Sequence, residues 1–410
     1  MAALTLSLFS TTARGGALAE YAASVNSALN VLRAIPSAQH AAILDQSSTQ
    51  DHYAYIAAIA ADAPGRGLYF PAGRYNLSQR VSLLSNTVVF GDRHRTRVVG
   101  TPTLLGTGGL TTGEHCLFRA NGATGVHVFD MIFDTSLMTN WVAGVRCLWF
   151  NNVSDYSVVD CGFKTCGAAV ASIKGSDFRI RRNKVLLSAT DGVAHHDGVI
   201  DQWDGCNDFD IEDNILRLGG LSPYGILATG EDTGLVGVAI SDFNIRRNRV
   251  AGAKDVGIFV NGRAGTAYDF ALEDNVVTDT TNYYAIGIAD AHSFKANVNR
   301  TVRSGRNGMF LGSEASLGGT LSAQRGVVRG NIVRDANRIG TSNALEGAGI
   351  GVGNASADNS VDDNDVRGSA QTYGVYLGAS TTGNRVRTNA VQTGSLGSVA
   401  QAGSGNTIVP

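Results

Sequence analysis

The chain has little proline, little charge and few cysteines. Only 6 of its 410 residues are proline, and 17% are charged, against an ordinary share of about 25%. Low charge alongside 43% hydrophobic residues excludes wholesale disorder, which needs the opposite balance. There is no surplus of positive charge: 33 Lys+Arg against 35 Asp+Glu leave a formal net charge of −2. That excludes a general nucleic-acid binder, whose affinity comes from excess cations on phosphates. No uninterrupted apolar run reaches 18 residues, so no helical membrane span is expected. The cysteines (Cys116, Cys147, Cys161, Cys166 and Cys206) are odd in number and sparse, which describes buried thiols and not a disulfide framework. Met1 to Ala19 ends in Ala17-Leu18-Ala19, but no basic residue precedes the apolar run, as a secretory signal would require.

Glycine, by contrast, is abundant, at 51 residues and without the period of collagen. It punctuates repeats. One pattern runs apolar, any, apolar, two polar, Asn, any, apolar: Phe178-Arg-Ile-Arg-Arg-Asn183-Lys-Val, then copies ending on Asn214, Asn248 and Asn275, and looser ones on Asn299, Asn331, Asn364 and Asn389. In an earlier copy Cys161 takes the Asn position. A second pattern, Gly followed by alternating apolar residues, starts at Gly198, Gly225, Gly257, Gly287, Gly308, Gly349 and Gly374. Each repeat therefore holds at least two short strands with period 2 and no helical period. One unit cannot bury its own apolar face, but stacked units bury a continuous core. The chain is expected to be all-β, a right-handed parallel β-helix over residues 67–391. A helical cap precedes it at 37–66, an N-terminal segment at 1–36 and a C-terminal tail at 392–410 flank it.

In this register the recurring Asn would sit at the bend, tolerating a left-handed backbone and bonding along its column. Phe178, Phe209, Phe243, Phe270 and Phe294 would stack inside. Charges two and one before each Asn alternate in sign between rungs (Arg181, Glu212, Arg246, Glu273; Arg182, Asp213, Arg247, Asp274), so the basic-looking run at 179–184 is expected to pair and not to bind nucleic acid. Residues two after each strand glycine (Ile200, Leu227, Phe259, Phe310 and Tyr376) should face outward, an apolar lane suited to a subunit interface or to stacking on sugars. By the same alternation Asp201 and Asp290 should face inward.

Two short helices are expected, over Ser37–Asp45 and Asp51–Ala61, with Asp51 as N-cap. The stretch Ile35-Pro-Ser-Ala-Gln-His-Ala-Ala-Ile, the following Asp and Ile-Ala-Ala helix, Tyr-Phe-Pro-Ala-Gly-Arg-Tyr, and Ser-Asn-Thr-Val-Val-Phe-Gly resemble the segment leading into the coil of pectate-lyase-like β-helix proteins. They look most like bacteriophage tailspikes and prophage polysaccharide depolymerases. The resemblance implies a polysaccharide partner, a homotrimer, and an extracellular or virion-associated location.

Chemistry is sought where titratable residues are densest, in Asp191-Gly-Val-Ala-His195-His196-Asp197-Gly-Val-Ile-Asp201-Gln-Trp203-Asp204. Asp197 before Gly-Val-Ile-Asp is similar to the Asn-Thr-Asp-Gly-Ile-Asp element of polygalacturonase-like hydrolases, which implies Asp197 as acid or base. That family's Asp-Asp pair is missing from the next rung, where Glu231 and Asp232 lie a few residues on. Asp204 is a further acid, Trp203 offers a ring to stack on a sugar, and His195 is a further candidate for binding the substrate. For β-elimination on a uronate, Lys254 or Arg263 would neutralise the carboxylate and His196 would take the C5 proton. Adjacent histidines on a strand point to opposite faces, so no metal is assigned, and no nucleotide, haem or zinc motif calls for a cofactor. The expected function is cleavage of a bacterial surface or extracellular polysaccharide, with hydrolysis by acidic residues favoured over elimination; non-catalytic glycan binding by a surface fibre is the alternative of another class, and epimerisation a third reading.

Overall fold

The computed structural model describes residues 27–101, 116–137, 145–165, 167–187, 198–230, 238–262, 267–312, 322–353, 355–393 and 396–409. The chain winds as a right-handed parallel β-helix. Three parallel sheets run its length: sheet A with 14 strands, and sheets B and C with 12 each. One turn visits them in the order C, A, B, as in Gly198–Trp203, Asn207–Glu212 and Ile215–Arg217. The tail expected at 392–410 is instead a further turn. Gly397–Gln401 joins sheet C and Thr407–Val409 joins sheet A, and Asn406 bonds to Asn384 beneath it. At the other end Leu29–Asn30 already pairs with sheet A. The helices His40–Leu44 and Tyr53–Ala61 bring buried Ile43, Ile56 and Ala60 to the core there. Asp51 stands one residue before the N-cap, His52, and accepts from the Tyr53 N–H.

The Asn column lies at the bend from sheet A to sheet B. From Asn183 to Asn364 each amide nitrogen donates to the next Asn Oδ1 at 2.9–3.1 Å and to a backbone carbonyl. The left-handed residue is not the Asn but its predecessor: Arg182, Asp213, Arg247, Asp274, Val298, Asp363 and Thr388 have φ of 51–59°. The Asn satisfies buried backbone groups that this bend exposes. A second column, Asn359, Asn384 and Asn406, serves the bend from sheet C to sheet A. It has no counterpart in the sequence pattern. Inside, Phe150, Tyr156, Phe178, Phe209, Phe243, Phe270 and Phe294 stack with centroids 4.2–5.4 Å apart. On sheet A the expected charge alternation closes into pairs, such as Arg246–Glu212 at 2.9 Å and Arg247–Asp213 at 2.8 Å.

Candidate functional site

Sheet C positions the candidate site, and its strands do not alternate simply. In Tyr224–Thr229, Tyr224, Leu227 and Thr229 face outward while Gly225, Ile226 and Ala228 face inward. The glycine is required because a Cβ would lie 2.5 Å from the Val250 side chain of sheet B; Gly257 and Gly374 meet Val277 and Val391 in the same way. Gly198 does something different. It pairs with Tyr224, not Gly225, so its strand is shifted by one residue. Ile200 therefore faces the core, and Asp201 faces outward in the column of Ala171 and Leu227, both opposite to expectation. Asp201 is nonetheless buried, and Asp290 is buried at the bend from C to A with φ 50°.

The N-terminal half of this face carries a cation held between two indoles. The Arg146 guanidinium lies 4.4 Å from the Trp149 ring centroid and 4.9 Å from that of Trp203. The two rings meet edge to face at 5.8 Å. They can meet across two rungs because the rung between them presents Ala168 and Ala171, which leave room above the sheet. Arg119 lies opposite Trp149 on the preceding rung. Trp149 and Arg146 are almost buried, at 6% and 5%, while Trp203 stays partly open. A guanidinium fixed over aromatic faces is worth about 0.5–2 kcal/mol according to its desolvation. It fixes a positive charge beside the accessible indole, which offers a plane to a sugar ring. The rungs between 101 and 150 are irregular in sequence and carry neither repeat clearly, so spacing alone does not point to Arg146 and Trp149. The aromatic inside Arg146-Cys-Leu-Trp149-Phe was the available signal.

Of the residues nominated from sequence, Trp203, Asp204 and Lys254 are described; His195, His196, Asp197, Glu231, Asp232 and Arg263 lie outside the described residues. Asp204 sits on the bend from C to A, fully buried, and neither carboxylate oxygen has a hydrogen-bond partner among the described residues. Its N–H bonds to the Thr229 carbonyl, which brings it beside Gly230, the residue before Glu231. Lys254 is partly exposed on the opposite edge. Its N–H bonds to the Ser222 carbonyl, and Asn282 donates to its carbonyl and to Asp255. Gly198, which follows Asp197, opens its strand on that same edge. The strands are parallel, so Gly198 and Gly230 are separated by the width of a six-residue strand, about 20 Å at 3.3 Å per residue. Gly262, which precedes Arg263, belongs to the Gly230 edge. Of the described candidates, Lys254 thus adjoins one edge of sheet C and Asp204 the other.

The C-terminal half of the face is the expected apolar lane, but it is not an open surface. Leu227, Phe259 and Phe310 point outward yet are only 4–7% exposed. Tyr224 of the sheet itself and Tyr283, Tyr284 and Leu345 of the connections from sheet B to sheet C pack against them. Arg306 caps Tyr283 at 4.5 Å and pairs with Glu346 at 3.1 Å. The lane is already covered by the chain itself, which argues against its use as a subunit interface. Among the described residues no group of three or more His, Cys, Asp or Glu side chains could hold a metal ion.

No family model and no curated relative matches the sequence. Solved structures do match in fold. The A-module of mannuronan C-5 epimerase AlgE6 from Azotobacter vinelandii is 15% identical, with a TM-score of 0.63 over 93% of this chain and 99% of that one. A tailspike protein of E. coli bacteriophage HK620, in complex with a pentasaccharide, is 12% identical, with a TM-score of 0.63 over 94% and 81%. PfbA, a surface adhesin of Streptococcus pneumoniae, is 11% identical, with a TM-score of 0.66 over 88% and 90%. At these identities the likeness is one of fold.

Proposed function

We propose that this protein is a polysaccharide depolymerase that lays an acidic bacterial surface or extracellular glycan across the outer face of sheet C and cleaves it. The observation carrying this reading is the Trp149–Arg146–Trp203 cluster. A partly open indole beside a fixed guanidinium suits a sugar ring that bears a carboxylate. The fold neighbours agree in kind, since one acts on mannuronan and another was solved with a bound pentasaccharide.

Hydrolysis is the favoured step because a buried acid, Asp204, follows Trp203 on the same rung. Asp204 is a buried carboxyl group without a described partner, an arrangement that is costly and is retained chiefly where it serves function. It lies beside the residue leading to Glu231 and Asp232, so the acid pair is drawn from these three. A hydrolase needs its two carboxyls about 5–5.5 Å apart for retention or about 6.5–9.5 Å for inversion. Asp197, by its resemblance to the hydrolase element, is then the acid or base of a second candidate arrangement together with His195 and His196. Elimination is the second reading, favoured by Arg146 itself. The cation would neutralise the uronate carboxylate while His196 takes the C5 proton and the O4 substituent leaves, with Lys254 or Arg263 assisting. We take the protein to act outside the cell or on a virion and to assemble as a homotrimer, as the resemblance implies.

The test is product mass after incubation with a panel of acidic and neutral bacterial polysaccharides. Fragments of sugars plus water support hydrolysis, and fragments lighter by one water support elimination. Trp203→Ala should lower kcat/KM on the acidic polymer at least tenfold. Intact polymer across the panel would overturn cleavage. If its C5 centres were inverted, epimerisation would replace it.

A further inference from the structure

The outer face of sheet B carries a second pattern, unrelated to the indole cluster. From Gly162–Thr165 to Arg300–Val302, six successive strands turn their inward side chains (Phe163, Val185, Leu216, Val250, Val277 and Thr301) into the core. Their outward positions include Lys164, Lys184, Arg217, Arg249 and Arg300 and not one acid. None of these five cations has a carboxylate within 4 Å among the described residues, whereas sheet A pairs its cations rung by rung. Four of the five are exposed and Lys164 is partly so.

Their arrangement is regular. Lys184, Arg249 and Arg300 share one column and alternate with Ile215 and Val276. Lys164 and Arg217 share the next column, with Leu186 between them. Four successive rungs thus carry one cation each, zigzagging between columns, at an axial step of about 4.8 Å. The aliphatic spacers keep like charges from lying directly opposite, which would be destabilising. The result is a stripe of positive charge at the pitch of the coil, without carboxylate partners among the described residues.

We infer that the outer face of sheet B is a second binding surface, for a linear acidic polysaccharide lying along the coil axis. One charge per rung matches a polymer with one carboxylate per sugar far better than duplex DNA, whose charges come every ~1.7 Å of axis. Single-stranded nucleic acid is held by aromatic rings that stack on bases, and these outward positions include no aromatic residue. The stripe would hold the polymer through charge alone, independently of chemistry on sheet C.

The probe is fluorescently labelled oligogalacturonate, with labelled dextran as the neutral control. Binding is measured by anisotropy on the full chain carrying Trp203→Ala, so that the sheet C cluster contributes little. This protein should bind oligogalacturonate and not dextran. If about four charges are neutralised at the single-strand coefficient of ~0.7 per charge, affinity should fall on the order of 10²–10³ between 20 and 200 mM NaCl. Adding Lys184→Gln, Arg217→Gln and Arg249→Gln should weaken binding at 20 mM salt at least 30-fold and flatten the salt slope to about a quarter. Unchanged affinity and slope in that variant would overturn the inference. So would absence of binding once Trp203 alone is replaced. Displacement of the glycan by an equal concentration of oligothymidylate of similar length would assign the stripe to nucleic acid instead. Product analysis on the sheet C site is read separately, so either surface can fail without the other.

Discussion

Replacing Asn248 by alanine should unhinge the bend between sheets A and B at the middle of the coil. Asn248 is fully buried. Its amide nitrogen donates to the Ile211 carbonyl at 2.8 Å and to Asn275 Oδ1 at 3.1 Å, and its Oδ1 accepts from the Asn214 N–H and Nδ2 at 3.0 Å each. Alanine leaves two Asn214 donors facing a dry interior. A stranded buried polar group costs about 1–3 kcal/mol, so the variant should lose roughly 2–6 kcal/mol. Asn389 provides the control. It makes the corresponding bonds to Asn364 and Val361 but is partly exposed, so water can replace it and Asn389→Ala should cost only about 1 kcal/mol. A solenoid need not unfold in one step. Guanidinium titration by tryptophan fluorescence should therefore be joined to hydrogen exchange at the Asn214 amide, which should lose protection only in the Asn248 variant. Equal destabilisation by the two variants, or full protection at Asn214 after Asn248→Ala, would refute the ladder as the source of stability.

Three further outcomes follow from the same packing. Gly326→Ala would put a Cβ 2.1 Å from the Phe294 ring, which is itself stacked on Phe270; it should cost about 1–3 kcal/mol, largely recovered by adding Phe294→Leu, as read by thermal unfolding. The hydrogen bonds from Arg247, aided by Arg181, hold the Asp213 carboxyl below the usual carboxylate range. A depressed folded value means that its stabilisation is present above the unfolded value near 4 and is lost as pH falls through the folded one. Asp213→Asn should therefore destabilise at pH 7 and be neutral near pH 2 in urea titrations. Burial pushes the Cys206 thiol up to about 12 and the Cys161 thiol higher still. Cys116, Cys147, Cys161 and Cys206 are all free and buried, so at pH 8 they should resist Ellman's reagent until the chain is unfolded, and prompt reaction of any of them in the native protein would contradict this packing.

Much of the fold was legible because a β-helix writes its rungs into the sequence as repeated local requirements. A buried bend needs an amide at every turn, so Asn183 to Asn389 recur and give the register of sheets A and B directly. The stacked phenylalanines follow from that register and are found stacked; of the alternating charges, Arg181, Arg246 and Arg247 pair with Glu212 and Asp213, while Glu273 and Asp274 have no ion pair among the described residues. The residue that bends left-handed was missed, since Arg182 or Asp213 before the Asn shows no composition signal. The second Asn column was missed because three copies are too few to stand out.

The sequence by itself determined the coil, its core columns and the neutral outer face of sheet A, because these depend on period 2 and on contacts repeated at every rung. Only the tertiary structure decided what meets on sheet C. The connections before and after its strands vary in length, so equal motifs need not be in equal register. Gly198 pairs one residue away from where Gly225 does, and this turns Asp201 outward and Ile200 inward. Arg146, Trp149 and Trp203 converge because two alanines on the rung between them leave space. The lane from Leu227 to Phe310 is outward in pattern yet closed, since Tyr283, Tyr284 and Leu345 from the connections pack against it. These are consequences of side-chain volume and loop path in three dimensions, and no spacing along the chain encodes them.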